Sequence, residues 1–97
     1  MSNLDYSTNI KESELWNLNY SLASYICPRL KMFKQRQIGY PNNFKDVKEW
    51  EAALDKMILA FETMIKQINT NQRTEGENKL ISEGLTLFSE NLQNLWY

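Results

Sequence analysis

The chain has no histidine, one cysteine, two prolines and three glycines in 97 residues. Each shortage removes a class of structure or chemistry. Without histidine, the commonest general base and the commonest metal ligand are missing. One thiol, Cys27, allows no intrachain disulfide, no Cys–His nucleophile and no zinc-site spacing, and it points to a reducing compartment. The glycines stand apart at 39, 76 and 84, so there is no glycine-rich loop to cradle a phosphate. No stretch approaches the roughly 18 apolar residues of a membrane span. The opening MSNLDYSTNI has no signal-peptide core. The expectation is a soluble, cytoplasmic protein without membrane contact. Excess charge of one sign is also missing. Eleven basic and 12 acidic residues leave a net charge of −1, with no global signature for nucleic acid or lipid surfaces.

Scarce glycine and proline favour long helices over a many-turned β architecture. A hydrophobic fraction of 42% with 12% aromatics is too apolar for disorder, and 97 residues make one domain. The core of so small a chain is modest, so self-association that covers more apolar surface is expected.

Residues 1–12 are polar and unpatterned and read as a flexible arm; 13–97 read as one helical domain. Leu15, Leu18, Leu22, Ile26, Leu30 and Phe33 recur at steps of three and four, one face of a helix over about 13–37 with Ser13 as its N-cap. Pro28 lies inside that pattern. It lacks an N–H and crowds the Ser24 carbonyl, so a kink is expected there. QIGYPNNFK is a loop, in which Gly39 is free to adopt positive φ and Pro41 blocks continuation. Asp46 and Glu49 have capping-box spacing ahead of a helix over about 46–69, whose face is Trp50, Leu54, Met57/Ile58, Phe61, Ile65 and Ile68. Thr74 and Glu77 repeat that spacing ahead of a helix over about 75–96, with Ile81, Leu85, Phe88, Leu92 and Leu95/Trp96 on its face. The fold class is therefore all-α, an antiparallel three-helix bundle kinked at Pro28. The stripes do not hold a strict seven-residue repeat, so a coiled coil is not expected.

The only dense basic cluster is Arg29, Lys31, Lys34 and Arg36, flanked by Tyr25 and Tyr40. Arginine presents a planar fork of donors that suits phosphate or carboxylate. With the Ser24 carbonyl freed by Pro28, these residues are candidates to line a small anionic-ligand pocket. The plain alternative is a solvated helix C-terminus, where the dipole favours cations. Four basic residues on a near-neutral domain, without helix-turn-helix spacing, make duplex nucleic acid a poor partner. Glu51, Asp55 and Glu62 share roughly one helix face and are a candidate Mg²⁺ stripe. Lys48, Lys56 and Lys66 interrupt them, and Glu62–Lys66 has ordinary ion-pair spacing. Cys27, beside Pro28 on an apolar helix, reads as a buried structural thiol. Of Trp16, Trp50 and Trp96, at least two are expected in the core. Aromatics at the stripe edges, with Tyr20, Tyr25 and Tyr97, compose an interface-like surface.

Five blocks carry a resemblance: Leu15-Trp16-Asn17-Leu18, Pro28-Arg29-Leu30-Lys31-Met32-Phe33-Lys34, Gly39-Tyr40-Pro41, Trp50 followed by Leu54 to Glu62, and Glu83-Gly84-Leu85 with Leu87-Phe88. In that order they resemble a group of small uncharacterised bacteriophage helical proteins, over most of residues 15–97. The resemblance implies a phage origin and a helical fold. It adds weight to Trp16, Arg29, Tyr40, Trp50, Asp55, Lys56 and Glu62 as residues to test.

The leading expectation is a non-enzymatic phage accessory protein that self-associates and sequesters a small anionic ligand, for instance a cyclic nucleotide of host immune signalling. No cofactor is expected. Arg29, Arg36 and Lys56 are assigned to phosphate, Tyr40 or Trp16 to base stacking, and Tyr25 and Glu62 to the same site. One alternative is an inhibitor or adaptor that binds a host enzyme. A second is a Mg²⁺-dependent helical nucleotide pyrophosphatase using Glu51, Asp55 and Glu62. In a purely structural reading, Arg29–Glu62 or Lys56–Asp55 pairs merely hold the first two helices together.

Overall fold

The computed structural model describes residues 10–96; the expected arm falls mostly in residues 1–9, outside the described residues, as does Tyr97. The described chain is all-α, without a strand. It forms α1 (Ser13–Trp16), α2 (Leu18–Arg36), α3 (Val47–Thr70), α4 (Glu75–Asn91) and a closing 3₁₀ turn (Leu92–Asn94).

The helix starts follow their side chains. Asp46 Oδ1 accepts from Glu49 N at 2.9 Å, while Glu49 Oε1 accepts from Lys45 N at 2.9 Å, one residue ahead of the expected reciprocal partner. Thr74 Oγ1 accepts from Glu77 N at 3.1 Å, but the Glu77 carboxylate turns instead to α3. Asn71 closes α3 in the left-handed conformation (φ 54°, ψ 33°), which its short polar side chain tolerates.

Three local expectations are corrected. The first helix is not continuous: Asn17 (φ −130°, ψ 64°) separates α1 from α2. Ser13 lies within α1, and Glu12 precedes it without a side-chain cap. Gly39 does not use positive φ; α2 ends because Gln37 is extended (ψ 146°) while its N–H still reaches the Phe33 carbonyl.

α3 is the centre of the fold. Both α2 and α4 pack against it. Trp50, Leu54, Met57, Ile58 and Phe61 of α3 are buried, as the periodicity predicts, together with Ala53 and Ala60. The contacts run in opposite chain directions on both sides. Gln37 meets Trp50, and Cys27 meets Ile58, across α2 and α3. Gln67 meets Asn78, and Phe61 meets Phe88 edge-on at 5.2 Å, across α3 and α4. On the α4 side the approach is closest at Gly84, where a Cβ would collide with the Ala60 Cβ and the Lys56 carbonyl oxygen.

α2 buries only the later part of the expected face, Ile26, Leu30 and Phe33, and adds Ala23 and Cys27 to it. Ala23, Cys27 and Leu30 lie against α3, with Ile26 and Phe33 beside them. Leu15, Leu18 and Leu22 are about half exposed. Small residues admit α2 close to α3, and the larger leucines are left on the flank. Trp50 is the only tryptophan in the core; Trp16 and Trp96 are more than three-quarters exposed, contrary to expectation. Leu92 is also exposed, and the third helix's other face residues are only partly buried.

Candidate functional site

The chain leaves α2 at Gln37, crosses Gly39–Pro41 and enters α3 near Trp50, so loop and helix start share one corner. Phe44 packs on the Trp50 ring with centroids 4.9 Å apart. The Trp50 indole N–H donates to Gln37 Oε1 at 3.2 Å, which satisfies a donor that burial would otherwise strand. The C-terminal segment reaches the same corner through Asn91, a fully buried amide. Asn91 Nδ2 donates to the Leu87 carbonyl at 3.0 Å. Its Oδ1 accepts from Asn94 at 2.9 Å and from Asn43 at 3.5 Å. One side chain thus ties the end of α4, the 3₁₀ turn and the loop before α3 together.

Two neighbouring concavities result. One, of about 260 Å³, is lined by the Gly39–Pro41 loop, Trp50, Asn94 and Trp96, with Phe33 and Gln37 on its α2 side. The other, of about 240 Å³, lies between α2 and the α4 end, lined by Tyr25, Ile26, Arg29 and Leu30 with Phe88 and Leu95 opposite. Phe33 borders both, and both are mostly apolar. Arg29 supplies the cation of the second. Its guanidinium carbon lies 3.6 Å over the Tyr25 ring and Nη1 donates to the Tyr25 carbonyl at 2.9 Å, so the head is held flat at the rim.

The rest of the basic cluster serves another end. Lys31 Nζ pairs with Glu62 at 2.6 Å and Lys34 Nζ with Asp55 at 2.6 Å, both across α2 and α3. These hydrogen-bonded carboxylates raise the pKa of each lysine. Lys56 lies on the α4 side of α3, 3.5 Å from Glu83. Lys66 reaches Glu77 at 2.7 Å, and with Gln67 it lowers the Glu77 pKa. The expected pairs Glu62–Lys66, Arg29–Glu62 and Lys56–Asp55 are therefore replaced by pairs that each bridge two helices. Arg36 is exposed, without a partner among the described residues.

Of the seven candidate ligand residues, Tyr25 and Arg29 border one concavity and Tyr40 the other. Trp16 stands exposed in α1, Arg36 ends α2, and Lys56 and Glu62 belong to ion pairs on the two flanks of α3. Trp96, Asn94 and Gln37 line the concavity at Tyr40 without having been singled out for it. Their only sequence signal was the aromatic and amide content of the loop and C-terminus.

Glu51, Asp55 and Glu62 do not converge. Among the described residues no group of three or more His, Cys, Asp or Glu side chains is placed to hold a metal ion. Cys27 is buried with Sγ 4.0 Å from the Ile58 carbonyl, and desolvation raises its pKa, the opposite of an activated thiol. No helix among the described residues is long and apolar enough to cross a membrane. No protein-family model, no curated protein and no solved structure matches this chain.

Proposed function

We propose that this chain is a non-catalytic interaction protein that self-associates and engages its partners through the outer face of α2. One observation carries the reading: α2 is apolar on two sides and buries only one. Ala23, Cys27 and Leu30 meet α3, while Leu18, Leu22, Tyr25 and Met32 are 46%, 51%, 60% and 48% exposed along the opposite side. Scattered exposed apolar residues are ordinary, but several aligned on one helix flank, here interrupted only by Arg29, are the composition of a binding surface. Trp16 and Leu15 extend it past Asn17. In this reading α2, α3 and α4 act as an antiparallel three-helix bundle. Pro28, which denies the Ser24 carbonyl its helical donor, bends α2 so that the strip stands proud of the bundle. Leu22→Glu and Tyr25→Glu test this, because neither side chain supports the core. Loss of self-association and partner capture at an unchanged melting temperature supports the reading; unchanged association in both variants ends it.

A second reading is favoured by the two concavities. The Arg29 head, fixed on Tyr25, borders an apolar concavity with Phe33 and Phe88, and Phe33 also borders the neighbouring one with Tyr40 and Trp96, a combination of cation and aromatic rings suited to a planar anion such as a nucleotide. Sequestration of a cyclic nucleotide by a phage counter-defence protein would use this site without turnover. A ligand at 100 times its Kd stabilises the folded state by about 2.7 kcal/mol, readily seen as a thermal shift. A shift lost in Arg29→Ala supports this reading, and no shift across a nucleotide panel removes it.

A further inference from the structure

We propose that the corner concavity between the Gly39–Pro41 loop and the C-terminal turn binds an uncharged nucleobase-like ring, one that carries a hydrogen-bond donor beside an acceptor on one edge. The inference goes beyond the nucleotide reading above, because it uses neither a phosphate nor Arg29. Among the described residues no lysine, arginine, aspartate or glutamate lines this concavity, and Tyr40, Trp50 and Trp96 are in its wall. Its volume is about 260 Å³. An apolar cavity of ~150 Å³ already accepts benzene, so one flat ring fits with room to spare.

Two half-buried amides line the space, Gln37 and Asn94, and the core decides which end of each is left over. The buried indole of Trp50 can only donate. Gln37 must therefore turn Oε1 to it, at 3.2 Å, and keeps Nε2 as a spare donor. On the other side the sequence of forced choices starts at the Leu87 carbonyl, which can only accept. It takes Asn91 Nδ2 at 3.0 Å, so Asn91 has Oδ1 for Asn94 and accepts from Asn94 Nδ2 at 2.9 Å. Asn94 is left with Oδ1 as a spare acceptor. Neither Gln37 Nε2 nor Asn94 Oδ1 has a partner among the described residues, and neither is sealed from solvent. The concavity thus offers one donor and one acceptor, each oriented by a buried polar group, beside aromatic rings. A nucleobase edge carries the converse pair, and its faces stack on such rings. A phosphate or carboxylate meets no cation there.

The test is isothermal titration calorimetry of the full chain with uridine, cytidine, adenosine and inosine, with their monophosphates, and with the edge-methylated counterpart of each nucleoside that binds. The expected results are saturable binding of at least one nucleoside, a roughly tenfold loss when methylation removes the edge N–H, and no gain from the phosphate. Gln37→Glu keeps an oxygen for the Trp50 indole but replaces the spare donor by an acceptor, so binding falls roughly tenfold or more while the melting temperature stays near wild type. Trp96→Ala removes a ring that is more than three-quarters exposed and supports no core, and it weakens binding by a similar factor through lost stacking. Should Gln37→Glu melt well below wild type, the methylated nucleosides and Trp96→Ala decide alone. No nucleoside bound at millimolar concentration, equal binding of the methylated counterparts, or unchanged affinity in either folded variant overturns the proposal. A monophosphate bound roughly tenfold tighter than its nucleoside, with the gain lost in Arg29→Ala, also overturns it and leaves the nucleotide reading standing.

Discussion

Gly84 and Ala60 hold α4 and α3 so close that a methyl group at Gly84 has nowhere to go: it would meet the Ala60 Cβ and the Lys56 carbonyl oxygen. On helix propensity alone, Gly84→Ala should stabilise by about 1 kcal/mol. The contact reverses the sign, because the collision is with backbone and with a side chain that has no rotamer to change. The expected outcome is a loss of about 1–3 kcal/mol in chemical denaturation. Gly76→Ala is the control. It sits in the first turn of α4 with nothing within 4 Å and gains up to about 1 kcal/mol. Stabilisation by both substitutions would show that the helices are further apart than described.

Trp50 and Gln37 give a second prediction. Gln37→Leu keeps bulk but leaves the buried indole N–H without its acceptor, at a cost of about 1–2 kcal/mol. For a domain of this size that is a fall of roughly 4–8 °C in Tm per kcal/mol. Gln37→Glu, which keeps an acceptor oxygen, should recover most of it.

Burial of Cys27 raises its thiol pKa and blocks access. A thiol-specific chromogenic reagent at mildly alkaline pH should label the native chain at least about tenfold more slowly than the denatured chain. Equal rates would place Cys27 outside the core.

Glu77 links stability to pH. Its folded pKa lies below the ordinary glutamate value of 4.5, first through Lys66 and then through Gln67. A depressed carboxyl contributes stability that is present above the unfolded value and is lost as pH falls through the folded one. Urea midpoints should therefore decline below pH 4.5, and Glu77→Gln should flatten that part of the decline. Lys31 and Lys34 act in the opposite sense. Their pKa values are raised above 10.5, so their contribution holds below that pH and fades as pH climbs through the folded values.

Much of the α3 side of the fold was legible in the sequence. Trp50, Leu54, Met57 and Phe61 form one apolar line with charged residues opposite, and a single stripe has a single way to face a core. α2 was only half legible for the converse reason. Ile26, Leu30 and Phe33 of the expected stripe face the core, while Leu15, Leu18 and Leu22 do not, and the smaller Ala23 and Cys27 are buried in their stead. What decides is how closely the backbones approach, which the small residues permit and which periodicity does not encode. The same holds for Gly84 and Ala60.

The site was less legible. Arg29 and Tyr25 are four residues apart on one helix, so their stacking follows from local geometry. Trp96 and Asn94 join Tyr40 only because Asn91 folds the C-terminal turn onto the loop before α3, a contact across 48 residues. The basic cluster looked like one patch. Pairing of α2 with α3 divides it, giving Lys31 and Lys34 to Glu62 and Asp55 and leaving Arg29 and Arg36 on the outer side.

The native mass of the wild-type chain, followed by sedimentation equilibrium beside Leu22→Glu, tests the exposed strip on α2 most directly. The account predicts a reversible shift from one chain to two as concentration rises, absent in the variant while its helicity and melting temperature stay at wild-type values. Identical masses for the two proteins at every concentration would contradict it.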